Sequence, residues 1–199
     1  MYSKFWKRFL DIFLSLAAIV ALSPVLLMMS VVGAFAMKGN PFFLQERTGK
    51  FDKKSGTERL FYLIKFRSMT NERDEEGNLL PGKDRLNRYG RIIRSLSLDE
   101  LPSLINILIG DISIIGPRPL TMKHMPYLTE EEHHRHDVRP GLTGWAQING
   151  RDELPIDVKA KYDGEYLKKM SFLFDLKCVL MTILKVAKHD GVVEGGCKR

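Results

Sequence analysis

Two adjacent carboxylates, Asp99 and Glu100, lie in the segment Ser97-Leu98-Asp99-Glu100-Leu101-Pro102 and are the side chains best suited to do chemistry here. A carboxylate can attack an electrophilic phosphorus, or hold a hard cation such as Mg2+ through oxygen. Pro102 sets the expected register. With Ser97 as the N-cap of a capping box closed by Glu100, Pro102 would fall fifth in the helix, where its missing N–H breaks a bond. With Asp99 as N-cap, Pro102 falls third, where that N–H has no intrahelical partner. A helix is therefore expected to start at Asp99 or just after. Both carboxylates would then sit at its positive end, which favours their ionised forms. Taken alone, the fragment reads more simply as an ordinary acidic helix start.

Basic residues surround the pair in sequence. Arg85, Arg88, Arg91 and Arg94 recur every third residue just upstream, a spacing that drifts around a helix, so two of them are expected to be plain solvated surface. Downstream, Gly116-Pro117-Arg118-Pro119 fixes the backbone on both sides of an arginine. Rigid presentation suits bidentate recognition of phosphate; a proline-rich loop with an exposed arginine reads equally well. A second turn-rich region runs from Arg139-Pro140-Gly141 through Gly144-Trp145-Ala146-Gln147 to Asn149-Gly150-Arg151. Trp145 could stack on a base, although a buried anchor is the commoner fate of a lone tryptophan. Glu130 to His136 is rich in metal-ligand types, but His133 and His134 would point apart on a helix and no His-x-x-x-His pair exists. That stretch is expected to be a solvated polar helix, not a zinc site.

The elements that must position these groups are short. Phe42-Phe43-Leu44 and Leu60 to Phe66 read as strands separated by the turn-rich Asp52 to Thr57. Asn71 to Lys83 reads as an exposed loop. Leu86 to Leu96 reads as a helix, and Leu101, Leu104, Ile105, Leu108 and Ile109 as a one-faced helix stopped by Gly110. Ile112 to Ile115 reads as a strand, and Thr129 with Glu132 as a capping box opening a short helix. Pro155 opens a helix carrying Tyr162 and Tyr166. Phe172 to Lys188 reads as a long helix, either core or interfacial on a membrane. The expected fold class is mixed α/β and mostly helical.

The first 38 residues say membrane. Ile12 to Met37 carries no charged side chain and exceeds the ~20 residues a helix needs to cross a bilayer. Lys4, Lys7 and Arg8 precede the run and Lys38, Arg47 and Lys50 follow it, so neither flank is poor in the basic residues that stay cytoplasmic. Pro24 cannot donate to the carbonyl of Val20, so a kink or break is expected at Ser23-Pro24, with Ser23 free to satisfy the carbonyl. A helix that enters and returns to the same face fits both the break and the charge; a kinked spanning helix is the alternative. The expected division is a re-entrant membrane segment, 1–38, and a cytoplasmic membrane-associated domain, 39–199. That domain's about 160 residues suffice for one core. Cys178 and Cys197 form no disulfide framework or metal spacing.

With 31 basic and 24 acidic residues, the formal charge is +7, which favours acidic partners. No helix-turn-helix cue, zinc-finger spacing or aromatic RNA-binding signature supports a nucleic acid among them.

Together these pieces resemble the monotopic phosphoglycosyl transferases, the bacterial sugar transferases that start glycan assembly on a polyprenol phosphate. The resemblance rests on Ser23-Pro24, Gln45-Glu46-Arg47, Lys65-Phe66-Arg67-Ser68-Met69, Ser97 to Pro102, Asn106, Gly110-Asp111, Gly116 to Pro119, Arg139 to Gln147, Asn149-Gly150-Arg151, Tyr162-Asp163, Tyr166 and Asp175. Ser103 stands where a glutamine is frequent in the family. The resemblance implies transfer of a sugar 1-phosphate from a UDP-sugar to undecaprenyl phosphate with release of UMP, at the bacterial inner membrane, for glycoconjugates such as exopolysaccharide. It implies Asp99 as nucleophile and Mg2+ ligand with Glu100 beside it, and substrate contacts from Lys65, Arg67, Arg94, Arg118, Arg139, Gln147 and Arg151. Membrane phospholipids and downstream glycosyltransferases are the further partners implied. Direct displacement with Asp99 only as metal ligand, or a non-catalytic scaffold that binds anionic lipid, are the alternatives.

Overall fold

The N-terminal apolar run forms a single helix, α1 (Lys7–Ala36), led in by a π-helical turn at Tyr2–Trp6. The computed structural model describes residues 2–150 and 154–187, so Arg151 and Cys197 lie outside the described residues. The chain stays helical through Ser23-Pro24; the expected break into two half-helices is not seen. Local chemistry explains the continuity. The carbonyl of Val20, which Pro24 cannot reach with an N–H, accepts instead from Ser23 Oγ at 2.8 Å.

This helix lies along the rest of the molecule and touches it at both ends. Near its start, Arg8 donates to the carbonyls of Ile107 and Leu108, and buried Asp11 accepts from Ser113 Oγ and the Ile114 N–H. Near its end, the carbonyl of Met29 accepts from Tyr89 Oη, and that of Ala36 from Asn87 Nδ2. Ala18, Ile19, Leu22, Val25 and Leu26 pack onto the core between those points. The opposite face, with Phe9, Phe13, Leu16, Val20, Leu27 and Phe35, is exposed.

Next comes an antiparallel hairpin, β1 (Phe42–Asp52) and β2 (Thr57–Phe66), registered from Phe42 opposite Phe66 to Asp52 opposite Thr57, with an irregularity between Thr48 and Phe51. The largely exposed loop 71–83 follows. The helix α2 (Arg88–Ser95) is shorter than the apolar spacing suggests, because Asn87 caps it by accepting from the Gly90 N–H.

The Asp99 segment departs from its expected register. Residues Leu98–Ser103 form a 3-10 turn, and only then does α3 (Leu104–Ile109) begin. Ser97 adopts the left-handed conformation (φ 55°) and makes no side-chain cap, so neither Ser97 nor Asp99 caps an α-helix. The reversal at Ser97, two residues after α2, leaves room only for a tight turn, and Pro102 is compatible with one because it needs no donor there. Nor is α3 one-faced: Leu104 and Ile107 are buried while Ile105 and Ile109 point outward. Gly110, at φ 104°, ends it as expected.

A two-stranded parallel sheet pairs β3 (Ser113–Ile115) with β4 (Gly141–Thr143). Backbones approach so closely that a Cβ on Gly141 would lie 2.1 Å from the Gly116 nitrogen. Between the strands, Thr129 and Glu132 form the expected capping box of α4 (Glu130–His133). The following 3-10 turn is not the solvated surface the sequence suggests, since Arg135 and His136 are buried. Arg135 pairs with buried Asp163 at 2.7 Å and His136 Nδ1 meets the Gly49 carbonyl. Among the described residues three further helices follow: α5 (Trp145–Ile148), α6 (Ile156–Lys169) and α7 (Phe172–Ala187). The last has one face in the core and one outside it. Phe174, Cys178 and Met181 join the core, whereas Phe172, Leu173, Leu176, Leu180, Ile183 and Leu184 are exposed.

Candidate active site

Asn106 and Ser103 fix the site's framework. One edge of β2 pairs with β1; on the other, Asn106 Nδ2 donates to the Tyr62 carbonyl, its Oδ1 accepts from the Ile64 N–H at 3.0 Å, and Ser103 Oγ donates to the Ile64 carbonyl at 2.8 Å. Side chains thus complete the strand's hydrogen bonding and clamp it to the Asp99-Glu100 turn. Ser103, the departure from the family pattern, reaches the strand with its hydroxyl.

This clamp sets Lys65, near the end of β2, against Glu100. Lys65 Nζ donates to Glu100 Oε1 at 2.7 Å, and Arg118 Nη2 donates to the same oxygen at 3.1 Å. Two backbone anchors, on its own carbonyl and on the next, hold Arg118 in position. Arg135 Nη2 donates to the Arg118 carbonyl at 3.0 Å, and Arg47 Nη1 to that of Pro119 at 2.9 Å.

The two carboxylates are electrostatically unlike. Burial alone would raise Glu100, but Arg118 and Lys65 together pull it down to about 2. Glu100 is therefore a fixed anion at neutral pH that organises two cations, and not a proton carrier. Asp99 is pushed up to about 6, chiefly by burial and then by the charge of Glu100, against the opposing pull of Lys65, Arg94 and Arg118. The expectation that a helix end favours the ionised form of both is corrected for Asp99 alone: no α-helix starts there, burial raises its carboxyl, and it accepts no hydrogen bond among the described residues. A poorly compensated carboxylate is reactive, and it gains most from a cation.

Both carboxylates line a cleft of about 390 Å³ together with Lys65, Arg94, Arg118 and Gln147. Six of the sequence-singled residues are thus brought together. Arg94 Nη1 and Gln147 Oε1 are buried there without a hydrogen-bond partner, as groups awaiting a polar ligand would be. Arg67, just past β2, does not line this cleft. Arg139 is also elsewhere: its Nε donates to the Gly110 carbonyl, and it lines a separate cleft. The sequence reading missed Thr182 and Lys185, which line the catalytic-side cleft from the last turns of α7. The only signal for Lys185 was a lysine edge on an otherwise apolar helix.

Trp145 is half-buried and packs on Phe174 with ring centroids 5.0 Å apart, the anchor reading rather than the base-stacking one. Among the described residues, no cluster of three or more His, Cys, Asp or Glu could hold a metal. A Mg2+ ion bound through one or two carboxylates, water and substrate phosphates needs no such cluster, and the unpartnered Asp99 fits it.

An acidic pair in a basic cleft suits phosphate chemistry, and the chain belongs to the family described as bacterial sugar transferase, which matches residues 2–189. It is 43% identical to the sugar transferase EpsL of Bacillus subtilis (strain 168), covering 94% of this chain and 89% of that protein. It is 37% identical to the UDP-glucose:undecaprenyl-phosphate glucose-1-phosphate transferase of Escherichia coli (strain K12), covering 90% of this chain but 39% of that protein. It is 36% identical to the UDP-N-acetylgalactosamine-undecaprenyl-phosphate N-acetylgalactosaminephosphotransferase of Aeromonas hydrophila, over 94% of this chain and 45% of that protein. The chain therefore spans less than half the length of these two relatives.

Proposed function

We propose that the protein transfers a sugar 1-phosphate from a UDP-sugar to undecaprenyl phosphate, releasing UMP, with Asp99 as covalent nucleophile. The observation that carries this reading is the division of labour in the acidic pair: Glu100 is locked to Lys65 and Arg118, leaving the adjacent Asp99 carboxylate unengaged in the cleft. The activities of the two longer relatives supply the substrate class.

In the first step an Asp99 oxygen attacks the β-phosphorus. An acyl-phosphate bond forms while the phosphorus–oxygen bond to the α-phosphate breaks, its electron pair leaving on UMP. Lys65, Arg94 and Arg118 neutralise the diphosphate charge that grows on the leaving group. In the second step a phosphate oxygen of undecaprenyl phosphate attacks the same phosphorus, and the bond to Asp99 breaks, regenerating the carboxylate. Sugar phosphotransfer of this kind generally uses a divalent metal; we assign Mg2+, held by Asp99, which would add neutralising charge at the diphosphate.

We place α1 in the cytoplasmic leaflet as a re-entrant element. A straight helix rising 1.5 Å per residue over its 30 residues would be about 45 Å long. If it spanned the bilayer, its two ends could not both be hydrogen-bonded to one cytoplasmic body, as Asp11 and Ala36 are here. The exposed apolar faces of α1 and α7 and the outward Ile105 and Ile109 then form the lipid-facing surface, with residues 39–199 as the cytoplasmic catalytic portion. Downstream glycosyltransferases would receive the lipid-linked product.

The deciding experiment incubates wild-type enzyme with a UDP-sugar labelled in the sugar, omitting the lipid, and looks for a phosphosugar adduct on Asp99 by rapid-quench mass spectrometry. Asp99→Asn should fold and lose both adduct and turnover. Full lipid-dependent turnover by that variant would refute the nucleophile, and turnover loss without any wild-type adduct would favour direct displacement.

A further inference from the structure

On a different part of the surface, Arg139 belongs to a second cleft, of about 730 Å³, which the chemistry above does not use. Lys50, Lys53 and Lys54 from the β1–β2 hairpin line one wall; Gly110, Asp111 and Arg139 line the other. Its acidic members are already engaged. Asp111 meets Arg59 at 3.4 Å and Asn106 at 3.1 Å, Asp137 meets His134 at 3.0 Å, and Asp52 caps its own turn by accepting from the Lys54 N–H. The ammonium groups of Lys50, Lys53 and Lys54 make no hydrogen bond or ion pair among the described residues. With Lys50, Lys53, Lys54, Arg59 and Arg139 against Asp52, Asp111 and Asp137, the cleft carries an excess of two positive charges.

Its position narrows the ligand. Two arginines converge on the end of α3: Arg8 donates to Ile107 and Leu108, and Arg139 to Gly110. A Cβ on Gly110 would lie 3.0 Å from Arg8 Nη2, so the guanidinium sits directly against the cleft wall. Outward-facing Phe9 and Ile109, two of the apolar residues assigned to the bilayer, flank these positions in sequence, as does exposed Phe5. A basic cleft beginning at that edge meets phosphate at headgroup depth.

We infer that this cleft binds the phosphate of an anionic phospholipid headgroup, between Arg139 at the membrane edge and the hairpin lysines above it. Such a contact fixes the rotation of the domain about α1, which the non-directional apolar face leaves free. The inference rests on the membrane seating proposed above and is independent of the covalent chemistry.

The test uses full-length protein in neutral detergent without UDP-sugar, titrated with dioleoyl phosphatidylglycerol or dioleoyl phosphatidylcholine and read by native mass spectrometry. Wild type should bind one phosphatidylglycerol at least tenfold more tightly than phosphatidylcholine. Replacing Lys50, Lys53 and Lys54 together with glutamine should abolish that preference, since about 1 kcal/mol per lysine is about a factor of five each and roughly a hundredfold for the three. Turnover in detergent should be unchanged. A charge-matched control, Lys83, Lys123 and Lys161→Gln, should keep the preference. Equal binding of both lipids by wild type, or equal loss in both triple variants, would overturn the site in favour of diffuse attraction. Displacement of phosphatidylglycerol by equimolar inorganic phosphate would overturn the lipid as its ligand.

Discussion

Replacing Lys65 with methionine should change both the rate and the pH dependence of catalysis. Lys65 Nζ lies 2.7 Å from Glu100 Oε1, with only 12% and 21% of the two side chains exposed. Methionine keeps the length and apolar stem and removes the charge. Because Arg118 stays at 3.1 Å, Glu100 is not stranded, so the loss should be that of one charge-assisted hydrogen bond, about 1.5–3 kcal/mol, or roughly tenfold to 150-fold in kcat/KM. The second effect acts through Asp99, which sits at about 6 partly because Lys65 holds it down. The nucleophile must be ionised, so activity falls as pH drops through that value. Removing a nearby cation raises the carboxylate further, by about one unit, moving the acid limb to higher pH. At pH 7 the ionised fraction should then drop from roughly nine-tenths to about half. The assay is UMP release against pH at fixed Mg2+ for wild type, Lys65→Met and Lys65→Arg. Arginine should keep the limb in place. A limb that stays fixed or shifts downward in a folded Lys65→Met enzyme would refute the electrostatic account of Asp99.

Arg135→Ala should destabilise the fold by about 3–5 kcal/mol in chemical denaturation, because it strands Asp163 in the interior with one-hundredth of its side chain exposed. Arg118→Ala, by contrast, should mainly reduce activity, and a denaturation midpoint for Arg135→Ala as high as that of Arg118→Ala would contradict the clasp. Gly116→Ala would bring a Cβ within 2.6 Å of the Arg139 carbonyl and 2.9 Å of the Gly141 nitrogen, so the Arg118 loop must shift; UMP release should fall tenfold or more. Cysteines introduced at positions 4 and 50 should both be labelled only from the cytoplasm in intact cells, and replacing Ser23 and Pro24 together with leucine should divert part of the population to a spanning topology. External labelling of either site in the otherwise unaltered chain would contradict the re-entrant reading.

What was legible in the sequence was local. The hairpin follows from two apolar runs around a turn-rich segment, and the Thr129 capping box and the stop at Gly110 from chemistry within a few residues. That Lys65, Arg94, Asp99, Glu100, Arg118 and Gln147 belong together was legible too, since they line one cleft. Tertiary hydrogen bonds decided the rest. Asp99 is not a helix cap because Asn106 and Ser103 tie its turn to the edge of β2. Arg135 and His136 leave the solvent because Asp163 and the carbonyl of Gly49, 87 residues from His136, receive them. Nothing in the spacing of Arg-Pro-Gly announces that Arg139 faces Gly110 and not the acidic pair.

Asp11 also sets a schedule for biosynthesis. Its partners, Ser113 and Ile114, lie 102 and 103 residues downstream. At ~5–20 residues per second, the ribosome needs roughly 5–20 s after Asp11 to add them. During that interval α1 is an apolar segment with an uncompensated carboxylate, and Lys7 waits longer still for Asp175. The segment therefore cannot settle by hydrophobicity alone at the moment it emerges. On the membrane seating proposed above, its final position is chosen late, by the folding of the domain that follows it.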